Sequence, residues 1–354
     1  MKILFRVDAG KNIGFGHMNR TMSIANELKN KNIEFCYLTR FQDGIDFLKR
    51  NNVNCLKMEN LDVELRTQDN FNEESLNNYI KLELEQIKKL KAFKKFDTII
   101  VDSYFVNEFY FLELKKLFKK VVYIDDLNNE TYPVDILING NIYANDLGYK
   151  KFYKDTKLLL GSNYNLINKK YVNLKRKFNS KLKEILITTG GADPNNLMIN
   201  FIDFILENNF NEDIKINIII GKSFEEKNKI KIREKLNKKK NFFIYEDIDY
   251  MDKLMLNSDL AISSAGSTIY ELMACGTHIV YFSYANNQKY IINYLKNKNI
   301  GSYIGNKETI DFDKLYKILK NYNAEIENII SGRKKQMAVM SHYGARNIVD
   351  ILLK

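Results

Sequence analysis

The chain is poor in three residue types that usually carry structural or catalytic signals: 354 residues hold two prolines, three cysteines and three histidines. The cysteines, Cys36, Cys55 and Cys275, are scattered, odd in number and without CxxC spacing. That argues against a disulfide framework or a zinc ribbon and fits a reducing, cytoplasmic setting. No cluster of carboxylates and histidines shows metal-ligand spacing, so neither a metal nor another cofactor is expected. No apolar run reaches the roughly 18 residues of a membrane span. The opening MKILFRVD reads as a short strand interrupted by Arg6 and Asp8, and not as a signal peptide. Solenoid-period repeats and low-complexity tails are also missing. Both prolines, Pro133 and Pro194, fall in predicted loops.

Lysine, by contrast, is plentiful, and the net charge is +11. The lysines lie along predicted helices beside Glu and Asp, as in KLELEQIKKLKAFKK (81–95). The densest run, KIREKLNKKK (231–240), lacks the interleaved aromatics of a single-strand binder. This describes a solvated basic surface with no nucleic-acid partner, and leaves an anionic substrate or weak membrane-surface attraction open.

Apolar strand-like runs alternate with amphipathic helical patterns. Strands are expected at 2–8, 33–38, 98–102, 121–125 and 135–139, with helices at 17–29, 44–51, 73–95 and 108–119. The rhythm restarts with EILITTGG (184–191) and continues through strands at 216–220, 242–246, 260–264 and 278–282. Continuous Ile/Val/Leu runs between helices mark parallel sheets buried on both faces. Two such series predict two Rossmann-like domains with a cleft between them and ligands at the carboxyl ends of the strands. The expected division is a first domain at 1–167, a linker at 168–183 and a second domain at 184–332. A helical segment at 333–354 is expected to pack back on the first domain.

The stretch DAGKNIGFGHMNR (8–20) joins the first strand to the first helix through a glycine-rich turn. Such a turn lets backbone N–H groups approach an anion. A dinucleotide fingerprint fails here, because Asn19 follows Gly14 and Gly16 where a third glycine belongs, and the next strand ends in Leu38-Thr39-Arg40 with no acidic residue. His17 stands in the first helical turn, where the helix dipole disfavours imidazolium and suits the ring to act as a general base. Packing or capping is its alternative role.

In the second half, SSAGSTIYELMACGTHIVYF (263–282) passes from strand through Ala265-Gly266-Ser267 into a helix carrying Glu271. The turn offers N–H groups to a diphosphate, and Glu271 offers its carboxylate to ribose hydroxyls. Thr268 and Glu271 also have the spacing of a capping box. YANNQ (284–288) adds the amides of Asn287 and Gln288, and TTGGADPNN (188–196) adds a second glycine turn at Gly190 and Gly191.

The ordered set RVDAGKNIGFGHMNRTMSIANEL, VDSYF, IDDLNNETYPVDILINGNIYA, TTGGADPNN and SSAGSTIYELMACGTHIV resembles the UDP-2,4-diacetamido-2,4,6-trideoxy-β-L-altropyranose hydrolases of pseudaminic acid biosynthesis. These are relatives of the glycosyltransferase that makes lipid II. The resemblance implies a GT-B architecture and an inverting hydrolase releasing UDP and a free sugar. It implies His17 as base, Tyr104 in the sugar pocket, Asn139 and Asn141 in an asparagine-rich loop, and Glu271 as ribose ligand. Arg6, Asp8 and Tyr104 are then expected to position the sugar or the histidine, with the loops at Gly190-Gly191 and Gly266-Ser267 on the diphosphate. Asp125 and Asp126 are expected to fix a loop. His278 stands where a proline is common in GT-B proteins and reads as structural. The rival readings are a GT-B glycosyltransferase using the same UDP site and a non-catalytic binding protein.

Overall fold

The computed structural model describes residues 1–10, 13–59, 61, 73–93, 95–208, 210, 212–341 and 343–354. The chain divides into two units, Met1–Asn168 with Tyr343–Lys354, and Lys169–His342.

In the first unit the elements follow as β1 (Lys2–Val7), α1 (Gly16–Asn30), β2 (Glu34–Thr39), α2 (Gln42–Arg50), β3 (Cys55–Lys57), α3 (Glu73–Phe93), β4 (Thr98–Asp102), α4 (Glu108–Leu117), β5 (Lys120–Ile124), β6 (Ile136–Asn139) and β7 (Lys157–Leu160). The sheet runs β3-β2-β1-β4-β5-β6-β7, with every neighbouring pair parallel. From β1 the chain winds outward in one direction and then, from β4, in the other. The loops after β1 and β4 therefore part at the carboxyl ends and open a crevice.

The second unit repeats this winding with β8 (Glu184–Thr188), α5 (Leu197–Glu207), β9 (Lys215–Ile220), α6 (Glu226–Leu236), β10 (Phe242–Glu246), α7 (Met251–Asn257), β11 (Leu260–Ser264), α8 (Thr268–Ala274), β12 (His278–Ser283), α9 (Lys289–Asn297), β13 (Ser302–Asn306), β14 (Thr309–Ile310), α10 (Phe312–Asn321) and α11 (Ile326–Val339). Its order is β10-β9-β8-β11-β12-β13-β14, and only the last strand is antiparallel. The switch point here lies between β8 and β11. A final helix, α12 (Gly344–Leu352), returns to the first unit.

The strands read as unbroken apolar runs because both faces are covered. In the first unit Leu4, Leu38 and Ile99 pack with Tyr110 and Phe111 of α4 and Ile80 of α3. On the other face Ile3, Phe5 and Ile100 pack with Met18, Met22 and Leu28 of α1 and with Ile348 and Leu352 of α12. The Met18–Leu28 stripe is thus a core stripe, as its spacing indicates.

Three features depart from the sequence reading. β3, β7, β13 and β14 were not anticipated: they have two to five residues each, and β13 carries Gly305 in place of a continuous apolar run. The stretch at 169–183 is no free linker but part of the second unit, with Tyr171 and Leu182 buried. Its Arg176 guanidinium donates to the carbonyls of Met255 and Cys275 at 3.2 and 2.9 Å and also to Ser258 O. Finally, α11 stays with the second unit, where buried Arg333 donates to Gly276 O at 2.6 Å, and the return to the first unit begins only at Tyr343.

Candidate active site

At the carboxyl end of the first sheet, Gly10 and Gly14 form a small antiparallel bridge, the Gly14 N–H donating to Gly10 O at 2.7 Å. Residues 11 and 12 of the glycine loop lie outside the described residues. Gly14 has φ +79°, a left-handed conformation that glycine adopts without strain. A Cβ built on Gly14 or Gly16 meets no atom within 4 Å, so the turn before α1 faces open space.

His17 is the second residue of α1, and its Nδ1 lies 2.6 Å from Oδ1 of Asp102, the last residue of β4. Burial pushes the Asp102 carboxyl up, but Arg20 and His17 outweigh it and hold the group at about 2. Asp102 therefore carries no proton near neutrality, and the hydrogen in this short contact belongs to the imidazole. That assignment makes Nδ1 the donor toward Asp102, with Arg20 Nη2 also 3.1 Å from it, and in a neutral ring it puts the acceptor lone pair on Nε2. The His17 side chain is 11% exposed against 1% for Asp102, so the ring reaches the surface while its partner does not.

Arg20 lies one turn along α1 on the same face as His17. It donates to Asp102 Oδ1 and Oδ2 at 2.5 and 2.6 Å, and to both oxygens of Asp126 at 2.8 and 2.7 Å. The Tyr104 hydroxyl donates to Asp126 Oδ2 at 2.8 Å, and its ring stands edge-on to His17 with centroids 4.8 Å apart. Burial, then Asp126, raises the Tyr104 phenol far above its ordinary value, so it stays neutral. Asn141 donates through Nδ2 to Asp126 Oδ1 at 3.1 Å and to Asn139 Oδ1 at 2.9 Å. One connected array therefore joins α1 to the carboxyl ends of β4, β5 and β6.

Sequence reasoning missed Asp102, Arg20 and Asp126. Asp102 had a signal: an acid terminating the buried run TIIV, inside the motif VDSYF. Asp125 does fix its loop, accepting from the N–H groups of Leu127 and Asn128 at 3.0 and 3.1 Å, whereas Asp126 turns to Arg20. Asn139 is wholly buried and donates to Tyr149 OH at 2.9 Å, so it braces the array from beneath.

Arg6 and Asp8 sit elsewhere than expected. Arg6 is 0% exposed and donates to Glu83 Oε1 at 2.8 Å and Oε2 at 2.6 Å, to Asp8 at 2.7 Å and to Tyr79 at 3.1 Å. Glu83 also accepts from Arg40 at 3.0 Å, Tyr79 at 2.6 Å and Tyr110 at 2.8 Å. Asp8 is held by Arg6, by the Arg40 N–H at 2.8 Å and by Thr39 Oγ1 at 3.2 Å, and not by His17. A charge inside a strand must find its partners within the core, and these residues do so in a closed network on the α3 side.

At the carboxyl end of the second sheet, three loops are tied together. Gly190 has φ +105°, and a Cβ on Gly221 would lie 2.4 Å from the carbonyl oxygens of both Gly190 and Gly191. Only glycine at 221 allows the loop after β8 to rest there. Ser264 Oγ donates to Thr189 O at 3.0 Å, linking β11 to the same loop. Asp193 accepts from the N–H groups of Leu197 and Met198 at 3.0 and 2.8 Å and from Tyr284 OH at 3.2 Å, linking β12. Gln288 Oε1 accepts from Tyr284 N at 2.7 Å, and its amide nitrogen lies 3.8 Å from where a Gly266 Cβ would stand. The Asn287 side chain lies outside the described residues.

Ala265, Gly266 and Ser267 form the turn into α8, whose N-cap, Ser267, makes no side-chain cap bond. The Thr268–Glu271 capping box is therefore not the arrangement here. Burial raises the Glu271 carboxyl to about 7, with Tyr171 pulling the other way. His278 lies away from this turn, edge-on to Tyr322 at 6.1 Å, and burial lowers its imidazole to about 4, in keeping with a packing role. Among the described residues, no group of three or more His, Cys, Asp or Glu is placed to hold a metal ion, and no helix is long and apolar enough to cross a membrane.

Residues 184–349 match the glycosyltransferase family 28 C-terminal domain. Across nearly its whole length the chain superposes on MurG of Acinetobacter baumannii, with a TM-score of 0.66 at 14% identity over 99% of this chain and 98% of that one. Against a UDP-GlcNAc 2-epimerase from Neisseria meningitidis, bound to UDP-GlcNAc, the TM-score is 0.67 at 12% identity over 100% of both chains. The fold is GT-B, two Rossmann-like domains.

Among curated relatives, an uncharacterized protein of Methanocaldococcus jannaschii is 28% identical over 79% of this chain, which spans 55% of that protein's length. A UDP-2,4-diacetamido-2,4,6-trideoxy-β-L-altropyranose hydrolase of Campylobacter jejuni is 24% identical over 84% of this chain and 97% of its own. A Helicobacter pylori protein named as pseudaminic acid cytidylyltransferase and the same hydrolase is 30% identical over 69% of this chain, which spans 44% of its length.

Proposed function

We propose that the protein hydrolyses a UDP-linked 2,4-diacetamido-2,4,6-trideoxyhexose to UDP and the free sugar, with inversion at the anomeric carbon. The observation that carries this reading is the Asp102–His17 pair at 2.6 Å, set just after an open glycine turn. Water donates its proton to His17 Nε2 and its oxygen forms a bond to the anomeric carbon. The bond from that carbon to UDP breaks from the opposite face, and its electron pair leaves on the diphosphate. Asp102 holds the tautomer and stabilises the imidazolium as it forms. Arg20 keeps Asp102 ionised and binds Asp126, which in turn fixes Tyr104 against the ring.

The second unit supplies the nucleotide subsite. On this reading the backbone N–H groups of Gly191 and of the Gly266-Ser267 turn serve the leaving diphosphate as preorganised dipoles, the Gly190 N–H being taken by Thr188 Oγ1 at 3.3 Å. Glu271 accepts from the ribose hydroxyls. The names of the Campylobacter and Helicobacter relatives support the substrate class.

The match at 184–349 favours a second reading, a glycosyltransferase with the same UDP subsite and a separate acceptor. Proton NMR of the protein with UDP-2,4-diacetamido-trideoxyaltrose in ¹⁸O-water, without acceptor, decides between them. Release of UDP with ¹⁸O at the sugar's C1 supports the hydrolase. Intact substrate alongside bound UDP moves the transferase, or another sugar, to the front.

A further inference from the structure

The chain leaves the first unit after Asn168 and returns to it at Tyr343, one residue before α12. Asn165, 6% exposed, stands just before the departure, and Gly344 opens α12 against it. A Cβ on Gly344 would lie 1.9 Å from the Asn165 carbonyl oxygen, so only glycine fits there. Asn347 of the same helix donates through Nδ2 to Asn163 O at 2.9 Å. On its other side Asn165 donates through Nδ2 to Gly140 O at 2.8 Å. A Cβ on Gly140 would lie 2.4 Å from Tyr164 O, so this approach too is backbone against backbone. The Asn165 Oδ1 is buried without a partner among the described residues, so the side-chain amide holds on through Nδ2 alone. Gly140 joins β6 to Asn141, whose Nδ2 donates to Asp126 at 3.1 Å. Ser23 of α1 donates to Ile167 O at 3.1 Å, which ties the departing segment to the helix that carries His17 and Arg20.

We propose that Asn165 is a positioning residue for the site, tying the Asn141 loop to both points where the chain leaves and re-enters the first unit. This rests on the proposed function, in which Asp126 fixes Tyr104 against His17. Packed backbone with no side chain between its layers has no rotamer through which to absorb a shift. A displacement of either crossing therefore reaches Gly140 through Asn165, and passes from Gly140 to the Asn141 amide and Asp126. The link is reciprocal: a sugar that orders the Asn141 loop also steadies the two crossings.

The test uses the whole chain and reads the link before the chemistry. Amide hydrogen exchange is followed at Asn141, which donates to Asn139 Oδ1 at 3.0 Å, and at Ala144, which donates to Asn141 O at 2.9 Å. The wild type is compared with Asn165→Ala and with the milder Asn347→Ala, and β2 serves as the control. Asn165→Ala is expected to speed exchange at both amides roughly tenfold and Asn347→Ala about threefold, with β2 unchanged. Exchange at Asn141 unmoved in either variant, or a rise shared equally by β2, overturns the link. Steady-state kinetics with UDP-2,4-diacetamido-trideoxyaltrose supply the second readout. Asn165→Ala is expected to lower kcat roughly tenfold, and to lower it no further in an Asn141→Ala background, because it acts through Asn141. Full additivity of the two substitutions overturns the positioning role. Absence of turnover by the wild type overturns the hydrolase reading itself, and the exchange comparison still decides the link.

Discussion

The two sheets share one winding, with the third strand at one edge and the first and fourth flanking the crevice, yet they furnish that crevice differently. In the first unit the carboxyl ends carry long charged side chains: Asp102 on β4, Asp126 after β5, and His17 and Arg20 from α1. In the second the corresponding ends carry glycine turns, the Ser264 hydroxyl, Asp193 bonded within its own loops, and Glu271 in α8. Charged groups that bind one another hold a proton acceptor in place, while open backbone N–H groups meet an anion without bringing a counter-charge of their own. On the proposed reading one scaffold divides into a proton-handling half and an anion-handling half, because the loop residues differ while the winding does not.

The comparison breaks first at His17. His17→Asn is expected to lower turnover on the order of 10³-fold while UDP affinity, which the proposed function assigns to the second unit, stays within about twofold. Near-normal turnover would remove proton handling from the first unit. Asp102→Asn is expected to cost roughly a hundredfold, because a donor amide against Nδ1 favours the tautomer that protonates Nε2. The double variant is expected to be no slower than His17→Asn, since the two act as one device. Steady-state kinetics on all three decide it.

A second cluster of charge in the same unit sharpens the point. Glu83 accepts from Arg6, Arg40, Tyr79 and Tyr110 inside the core. Burial opposes its ionisation, yet the two arginines hold its carboxyl at about 2. Glu83→Gln leaves buried guanidinium groups short of a counter-charge and is expected to destabilise the protein by about 3 kcal/mol in urea unfolding. Turnover per folded molecule is expected to hold. A selective loss of turnover with stability unchanged would make this network part of the site.

Most of the fold was legible because parallel strands buried on both faces write themselves as apolar runs. The short edge strands β3 and β14 bury too little to leave such a trace. In the site, His17 and Glu271 announced themselves by standing just after glycine turns. Asp102 did not, since its meaning depends on β4 lying beside β1, a long-range pairing that local pattern does not encode. Arg6 and Asp8 misled for the same reason. Adjacent to the glycine loop in sequence, they belong to a network whose hub, Glu83, lies 77 residues from Arg6.

In the second unit the expected losses are smaller and appear in binding. Gly190→Ala forces a side chain onto a φ of +105° and is expected to weaken UDP roughly tenfold, with turnover at saturation nearly intact. That split, seen as a rise in KM without a matching fall in kcat, is the mirror image of His17→Asn. Equal falls in both constants would merge the two halves into one catalytic unit.

The last effect runs against function. Glu271 is raised to about 7 in the folded protein against an ordinary 4.5, because burial disfavours its charge. The unfolded chain therefore loses this proton more readily than the folded one. Stability drains away as pH rises from about 4.5 through 7, and the cost is complete above that. Glu271→Gln removes the titration, so the variant is expected to gain about 2 kcal/mol over the wild type between pH 5 and pH 8, read by urea unfolding at both. On the proposed ribose role of Glu271, the same substitution is expected to weaken UDP at pH 8. A variant more stable yet poorer at binding marks Glu271 as a group the fold tolerates for its ligand. A stability difference independent of pH would make it an ordinary helix residue.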